Sequence, residues 1–168
     1  MKINKHKAVF LDRDGVINKK IPNDYVKSWT EFEFLPDVKA AIKLLNQAEF
    51  KVIVVTNQAG VSKGIVKEEQ LRRIHQQMLD ELKIYGAHID AIYYCPHLTE
   101  DNCDCRKPKP GMLEKAGKEF NIDFKNSWMI GDEPKDIEAG KSAGCKTYQV
   151  TTNEGLLEIA KKIIQEES

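Results

Sequence analysis

The sequence predicts an α/β fold, a doubly wound parallel sheet of about five strands with helices on both faces. Short runs rich in Val, Ile, Phe and Tyr recur along the chain, and such runs are typical of strands buried on both faces of a parallel sheet. Between them lie longer segments whose apolar residues repeat at helical spacing. Because parallel strands need crossover connections, this alternation favours right-handed βαβ units and a Rossmann-like architecture.

Five apolar runs are predicted as strands: residues 8–11, 52–55, 91–94, 128–130 and 147–150. The first two read Ala-Val-Phe-Leu and Val-Ile-Val-Val, with no polar residue in either. The third and fourth combine aromatic residues with Ile or Met, and aromatic and β-branched residues are enriched in strands. The fifth run contains Thr and Gln and is the least apolar of the set.

Five segments are predicted as helices: residues 37–47, 68–85, 112–120, 134–142 and 154–165. The clearest is 68–85, where Leu71, Ile74 and Met78 recur on one face. The first carries Val38 and Ile42 at the same spacing, and the third follows a Pro-Gly pair that is suited to a helix start. Each predicted helix follows a predicted strand, as the βαβ pattern requires.

Length and composition describe one globular domain. The chain has 168 residues, of which 41% are hydrophobic and 31% are charged. These values are typical of a globular protein with a sizeable core. Only about forty residues separate Asp14 and Thr56, and a predicted helix and a predicted strand lie among them, so no segment there is long enough for a separate cap domain. We therefore expect a single domain over residues 1–168.

The charge balance restricts the partners that this chain could bind. Lys and Arg together number 26, as do Asp and Glu, so the formal net charge is zero. A chain without a domain-wide basic field is not expected to hold nucleic acid or an anionic membrane. The apolar run behind the charged N-terminus covers only residues 8–11, too short for a signal sequence or a membrane span. We expect a cytoplasmic monomer that acts on a small molecule.

Two carboxylates, Asp12 and Asp14, follow the first predicted strand and precede a glycine. On an extended backbone, residues two apart point to the same side, so both would face one pocket. Carboxylates held that close repel each other unless a divalent cation or a shared proton lies between them. The alternative is a simple strand-ending turn, for which Asp and Gly are common residues.

Polar residues also follow the other predicted strands. Thr56, Asn57 and Gln58 end the second strand, Lys107 lies in the loop after the third, and Asp132 ends the fourth, with Asp136 further on. The carboxyl ends of parallel strands meet at one edge of the sheet, where open α/β sheets bind ligands. Acids, a hydroxyl, amides and a lysine at one edge fit Mg²⁺ with a phosphoryl group.

A second cluster, Cys95, His97, Cys103 and Cys105, lies within the segment 95–105. Cys and His at this spacing predict a structural zinc-binding loop whose four ligands all come from the protein. The alternative is a chance cluster of buried thiols. A different functional hypothesis is that the chain is a zinc-dependent nucleic-acid-binding module. The zero net charge and the position of the zinc loop inside a βαβ crossover disfavour it.

Four segments together resemble the motifs of the haloacid dehalogenase superfamily. They are Phe-Leu-Asp-Arg-Asp-Gly-Val-Ile-Asn at 10–18, Val-Thr-Asn-Gln-Ala-Gly at 55–60, Cys-Arg-Lys-Pro at 105–108 and Ile-Gly-Asp-Glu-Pro-Lys-Asp at 130–136. Their order and spacing match, and the resemblance covers about residues 7–150. The dehalogenases themselves lack the second acid of the first motif, so Asp14 indicates the phosphatase side of the superfamily.

The resemblance implies a reaction and its catalytic residues. Asp12 would attack phosphorus to form an aspartyl-phosphate, and Asp14 would protonate the leaving group and then deprotonate water. Catalytic Mg²⁺ would be held by Asp12, the Asp14 backbone carbonyl and Asp132. Arg13, which strand alternation places on the opposite face, is given no catalytic role.

The resemblance also implies the contacts to the substrate. Thr56, Asn57 and Lys107 would bind phosphoryl oxygens, with Gln58 and Arg106 in the same substrate site. The structural Zn²⁺ would fix the loop that carries Arg106 and Lys107. The segment 19–24, which follows the first motif, is expected at the mouth of the pocket.

Within the superfamily, the chain is most similar to the family of D-glycero-D-manno-heptose 1,7-bisphosphate phosphatases and the related histidinol-phosphatase domains. Membership implies Mg²⁺-dependent removal of the 7-phosphate of a heptose bisphosphate, a step toward ADP- or GDP-heptose precursors of lipopolysaccharide or S-layer glycans. Histidinol-phosphate hydrolysis is the alternative. An amine substrate would favour an acidic pocket, whereas Lys20, Arg106 and Lys109 favour a second phosphate.

Overall fold

A computed structural model describes residues 3–167 as ten main elements around one sheet. The strands are β1 (Ala8–Leu11), β2 (Lys51–Asn57), β3 (Ala91–Cys95), β4 (Trp128–Gly131) and β5 (Lys146–Gln149). The helices are α1 (Val38–Gln47), α2 (Glu68–Tyr85), α3 (Gly111–Phe120), α4 (Pro134–Ala143) and α5 (Leu156–Glu167). Every predicted strand and helix is present, which confirms the predicted α/β class.

Most boundaries agree with the prediction to within one residue, and the two elements with larger differences, β2 and α5, differ for identifiable reasons. Strand β2 continues through Thr56 and Asn57, because both polar residues pair with β3 opposite Tyr94 and Cys95. Helix α5 begins at Leu156 instead of residue 154, because backbone hydrogen bonds close a turn from Thr151 to Glu154 before it.

The strand order is β3-β2-β1-β4-β5, and all four neighbouring pairs are parallel. Strand β1 is therefore central, with β2 on one side and β4 on the other. The chain runs outward from β1 through β2 to β3 and then crosses to β4. This crossing makes the carboxyl ends of β1 and β4 the topological switch point, where a doubly wound sheet opens a crevice for ligands.

Side-chain alternation along β1 divides the core into two halves. Val9 and Leu11 pack with buried residues of α1, α2 and α5 on one face, whereas Ala8 and Phe10 pack with those of α3 and α4 on the other. Both faces of the central strands are thus covered, which explains why these strands are apolar at every position. No helix among residues 3–167 is long and apolar enough to cross a membrane.

The segment between β1 and β2 contains a tight turn, a 3-10 helix at Trp29–Glu31 and α1, so residues 12–50 carry no separate cap domain. The turn folds back on itself, with the backbone N–H of Ile17 donating to Arg13 at 2.8 Å. Stacked rings of Trp29 and Phe32, with centroids 4.8 Å apart, hold the rest of the segment against the α1 side of the core. The site at the sheet edge is consequently open.

The buried face of α1 should carry a large share of stability. Ile42 is fully buried there, and Ile42→Ala should lower the free energy of unfolding by about 2–5 kcal/mol, since the deletion leaves a cavity. Ile84→Ala makes the same chemical change at a side chain that is 83% exposed and should cost no more than about 0.5 kcal/mol. Urea unfolding of both variants measures the difference, and equal losses would contradict the placement of α1.

Candidate active site

The centre of the site is a buried lysine between two carboxylates. Lys107 is 2% exposed, and its Nζ donates to Asp12 Oδ1 at 2.8 Å, to Asp136 Oδ1 at 2.7 Å and to the Val55 carbonyl at 2.9 Å. Burial disfavours the ammonium, but attraction from Asp12 and Asp136 more than offsets it and raises the pKa of Lys107. The lysine therefore stays charged beneath the floor of the pocket.

Asp12 lies at the end of β1, where its backbone N–H donates to the Ile130 carbonyl of β4. Burial raises the pKa of Asp12 to about 7, and Asp136 adds to this shift while Lys107 opposes it. A carboxyl group with so little water around it needs a positive partner to stay ionised. The site thus favours a cation beside Asp12 in addition to Lys107.

Asp132 supplies the observation that fits a metal ion. Its Oδ1 atom is buried and has no hydrogen-bond partner among the described residues, although buried carboxylate oxygens are normally paired. Carboxylate oxygens of Asp12, Asp132 and Asp136 lie within 4.8 Å of one another. Oxygen-only donors are the ligands that Mg²⁺ prefers, so Asp12 and Asp132 fit a magnesium site.

Asp136 differs from Asp132 because both of its carboxylate oxygens accept hydrogen bonds from the protein. It is fully buried, its Oδ1 accepts from Lys107, and its Oδ2 accepts from the backbone N–H groups of Asp132 and Glu133 at 3.2 and 3.1 Å. Both oxygens are occupied by protein donors, which fixes the start of α4 against Lys107. Sequence reasoning noted Asp136 only as a further acid, because its partner lies 29 residues away.

Asp14 lines the same pocket as Asp12 but is held by a separate set of donors. Arg13 and Asn18 donate to its Oδ1, and Gln58 Nε2 donates to its Oδ2 at 2.9 Å. Burial acts to raise the pKa of Asp14, but the Arg13 charge and these hydrogen bonds outweigh it and lower the pKa overall. The side chain of Asp14 is therefore engaged by protein, and only its backbone carbonyl stays in the predicted magnesium ligand set.

Arg13 makes contacts that strand alternation alone did not indicate. It reaches toward α2, which packs on the face of β1 that Val9 and Leu11 share, and so it lies away from Asp12. The Arg13 guanidinium turns back to Asp14, with Nη2 at 2.8 Å from Oδ1, and Nη1 lies 3.1 Å from His75 Nε2. Arg13, Asn18 and His75 were all missed as site residues. The only local signal was the position of Arg13 and Asn18 within the first motif.

The predicted phosphate contacts are arranged in two layers. Asn57 lines the pocket, and its side chain also clamps the Lys107 backbone, accepting from the N–H at 3.0 Å and donating to the carbonyl at 3.2 Å. Thr56 and Gln58 lie below it, 1% and 2% exposed, with Gln58 Nε2 donating to Thr56 Oγ1 at 3.0 Å. Gln58 thus contacts Asp14 and Thr56, a role in orienting side chains that the sequence did not indicate.

The pocket is a cavity of about 130 Å³ whose mouth is formed by charged residues. Lys20, Asp24, Glu133 and Lys135 all line it, which confirms that the segment 19–24 lies at the mouth. Glu133 bridges two cations, with Oε1 at 2.5 Å from Lys20 and Oε2 at 2.9 Å from Lys135. These two lysines lower the pKa of Glu133 to about 2, so the mouth carries balanced charge.

Arg106 lies beside the cavity that contains Asp12. It lines a neighbouring depression of about 330 Å³ together with Lys109 and Lys135. Its Nε donates to Thr99 Oγ1 at 3.2 Å, and its Nη1 donates to the His97 carbonyl at 3.3 Å. Because Lys135 lines both spaces, the depression and the pocket are adjacent. Arg106 therefore borders the depression and lies next to the Asp12 cavity.

The four predicted zinc ligands converge between β3 and α3. One ligand atom from each of Cys95, His97, Cys103 and Cys105 lies within 4.8 Å of the others. Cys103 Sγ is 3.6 Å from the Sγ atoms of both Cys95 and Cys105, close to the edge of about 3.8 Å for a tetrahedron with Zn–S bonds of about 2.3 Å. The Sγ atoms of Cys95 and Cys105 are closer, 2.8 Å apart. The cluster is therefore compatible with zinc.

Comparison with known proteins gives a consistent picture. A family profile described as HAD-hydrolase-like matches residues 104–166. A D-glycero-beta-D-manno-heptose-1,7-bisphosphate 7-phosphatase of Pasteurella multocida is 42% identical, over 93% of this chain and 88% of the relative. A D-glycero-alpha-D-manno-heptose-1,7-bisphosphate 7-phosphatase of Campylobacter jejuni is 41% identical, over 89% of this chain and 85% of the relative.

A solved structure resembles the fold over nearly its whole length. The D,D-heptose 1,7-bisphosphate phosphatase of B. bronchiseptica, complexed with magnesium and phosphate, superimposes with a TM-score of 0.88 at 32% identity. The match covers 95% of this chain and 99% of that one.

Gly15 keeps the space that Asp132 needs. It adopts φ +92°, and a Cβ built there would lie 2.2 Å from Asp132 Oδ2. Gly15→Ala should therefore displace the Asp132 carboxylate and raise the Kd for Mg²⁺ at least about tenfold, measured by titration calorimetry. Gly64→Ala is the matched control, because its φ is also positive, +71°, but no atom lies within 4 Å of the new Cβ. Equal Mg²⁺ affinity in both variants would contradict the assignment of Asp132.

Proposed function

The chain belongs to the haloacid dehalogenase superfamily and, within it, to the family of D-glycero-D-manno-heptose-1,7-bisphosphate 7-phosphatases, and from that membership we propose that it hydrolyses the 7-phosphate of such a heptose bisphosphate. The observation that carries the proposal is the buried Asp12 carboxylate, which lines a polar cavity beside Lys107 and within reach of Asp132. The product would serve as a precursor in the biosynthesis of ADP- or GDP-heptose and lipopolysaccharide.

In the first half of the reaction, Asp12 acts as the nucleophile. A carboxylate oxygen of Asp12 forms a bond to phosphorus while the bond from phosphorus to the sugar oxygen breaks. Lys107 orients the attacking group through its contact to Oδ1. Asp14, on the same pocket wall, gives a proton to the departing sugar alkoxide.

In the second half, Asp14 works as a base. It takes a proton from water, the water oxygen bonds to phosphorus, and the bond between phosphorus and Asp12 breaks to release inorganic phosphate. The lowered pKa of Asp14 favours this base form. The negative charge of a bound phosphate acts in the opposite direction, because a nearby like charge raises the pKa of a carboxyl group, and this favours the acid form needed earlier.

Magnesium would be held by Asp12, Asp132 and the Asp14 backbone carbonyl, and when bound it neutralises charge on the phosphoryl oxygens. The chain itself contributes the remaining contacts. Lys107 lies beside Asp12, and the amide of Asn57 reaches the same cavity. Thr56 would add its hydroxyl from below. The charge of Lys107 and the donors of Asn57 and Thr56 would stabilise the equatorial oxygens as charge develops there.

The zinc cluster is proposed to act indirectly. Zn²⁺ held by Cys95, His97, Cys103 and Cys105 would fix the loop that leads directly into Arg106 and Lys107. Four protein ligands leave no open coordination position, so the site would be structural. The contact from Arg106 to the His97 carbonyl ties the arginine to this loop.

The substrate assignment is tested with purified protein and a panel of phosphate esters. Phosphate release is measured from both anomers of the heptose bisphosphate, histidinol phosphate and fructose 1,6-bisphosphate. The highest kcat/KM should be for one heptose bisphosphate anomer, with loss of the 7-phosphate alone. A higher kcat/KM for histidinol phosphate would overturn the substrate assignment and leave the phosphatase mechanism standing.

Asp12→Asn should abolish turnover while the fold persists. The amide keeps the shape of the side chain but is a far poorer nucleophile and loses the charge that attracts Mg²⁺. Steady-state assays on the heptose bisphosphate should give a kcat at least about 1,000-fold below wild type. Circular dichroism checks the fold, and activity within about tenfold of wild type would exclude the covalent mechanism.

One zinc per chain is expected in protein purified without chelators. Cys105→Ser should lower the zinc content and loosen the loop, with a higher KM and a lower melting temperature, because a hydroxyl is a poor zinc ligand. Cys145→Ser is the matched control, since Cys145 is a buried thiol outside the cluster. Metal analysis of wild type and both variants measures the ratio. Four titratable thiols and no zinc in the wild type would refute the site.

Arg106 is proposed to hold the distal phosphate of the bisphosphate. Its guanidinium can grip a phosphate with two parallel hydrogen bonds, so Arg106→Ala should cost about 2–3 kcal/mol in transition-state binding for the bisphosphate. The loss should be much smaller for a monophosphate. Lys109→Ala removes another cation of the same depression, but its Nζ already donates to the Cys103 carbonyl at 2.8 Å, so a smaller effect is expected. Equal losses on both substrates would place Arg106 at the reacting phosphate.

A further inference from the structure

Arg13 is a fully buried cation that the reaction described above does not use. Its side chain is 0% exposed, and it lies between Asp14 and His75. A guanidinium without water is stabilised only if its donors are paired, and an apolar residue could fill the same space at lower cost. Its presence there calls for a role connected with those two partners.

The donors around Asp14 are distributed unequally between its two oxygens. Oδ1 accepts three N–H groups: Arg13 Nε at 3.2 Å, Arg13 Nη2 at 2.8 Å and Asn18 Nδ2 at 2.9 Å. Oδ2 accepts one, from Gln58 Nε2 at 2.9 Å. An oxygen surrounded by three donors has no room for a proton of its own, whereas Oδ2 can accept one hydrogen bond and still carry a proton.

We propose that Arg13 and His75 are positioning residues for Asp14, which hold Oδ1 as a permanent acceptor so that Oδ2 is the oxygen that carries the proton to the leaving group. The inference rests on the proposed function, in which Asp14 is the acid. Arg13 touches none of the reacting atoms and acts through Asp14 alone.

His75 would fix the other end of the guanidinium. Arg13 Nη1 lies 3.1 Å from His75 Nε2, and since arginine can only donate, this nitrogen must be an unprotonated acceptor. Burial and the Arg13 charge support the neutral ring, because they lower the pKa of His75 to about 3. His75 projects from α2, whose Leu71 and Ile74 are also buried, so the acceptor is held by a packed helix.

Two substrates with different leaving groups distinguish the loss of a correctly positioned acid from a general distortion of the active site. The departing sugar alkoxide needs a proton, whereas p-nitrophenolate is a stable anion that leaves without one. The measured quantity is kcat/KM, which covers the steps up to formation of the phosphoenzyme and so omits the later hydrolysis. Loss of acid catalysis should therefore appear with the heptose bisphosphate and be nearly absent with p-nitrophenyl phosphate.

Arg13→Lys keeps the charge but loses the planar fork, and it should lower kcat/KM for the heptose bisphosphate about 100-fold, within the usual range for general acid catalysis. For p-nitrophenyl phosphate the loss should stay below about fivefold. His75→Leu, which removes the acceptor, should give the same pattern with about a tenfold loss on the sugar substrate. His75→Gln retains an acceptor oxygen and should restore most of the activity.

Asp14→Asn is the reference for both hypotheses. If it lowers kcat/KM equally for the two substrates, Asp14 is not the acid and the proposed mechanism fails. If Asp14→Asn lowers kcat/KM far more for the heptose bisphosphate than for p-nitrophenyl phosphate, while Arg13→Lys and His75→Leu lower it equally for both substrates, the positioning role alone is overturned. Thermal unfolding identifies a variant that does not fold. If Arg13→Lys does not fold, the comparison of His75→Leu with His75→Gln tests the proposal instead. Equal kcat/KM of these two variants for the heptose bisphosphate would contradict it.

Discussion

The site depends on the buried Lys107 ammonium, which joins the end of β1 to the start of α4 through Asp12 and Asp136. Taking a lysine and two carboxylates out of water costs free energy that their mutual attraction need not fully return. The cluster is therefore better understood as a geometric constraint than as a source of stability. Removing Lys107 would leave two carboxylates close together in the pocket floor without a cation between them, so the three groups must be placed together.

That constraint explains the elaborate anchoring of the loop between β3 and α3. Lys107 must reach the sheet edge from a segment with little regular structure. Two sets of contacts hold the backbone of this segment in place. Asn57 pairs with both backbone groups of Lys107, and the Cys/His cluster gathers residues 95–105 immediately before it. Fixing the backbone in advance reduces the entropy lost when the site assembles around a substrate.

Asp12 and Asp14 are two residues apart but experience opposite electrostatic environments. Burial raises the pKa of Asp12, whereas for Asp14 the effect of burial is outweighed by the Arg13 charge and by hydrogen bonds from Arg13, Asn18 and Gln58, which lower its pKa. A pair of neighbouring carboxyl groups whose pKa values are pushed apart is typical of sites that divide work between a nucleophile and an acid–base group. Charge at the mouth is balanced separately, since Glu133 bridges Lys20 and Lys135.

The sequence by itself determined the order and type of the five strands and the five α-helices, because apolar periodicity is a local property of the chain. It also determined the Cys/His cluster, whose members lie within one short loop, and the convergence of strand ends that follows from parallel topology. Only the tertiary structure decided which charged groups meet, such as Lys107 with Asp136 or Arg13 with His75, 62 residues away. It also decided that Arg106 lines a depression beside the pocket. Such pairings depend on how helices pack on the sheet and on where each strand ends, and no local pattern encodes these distances.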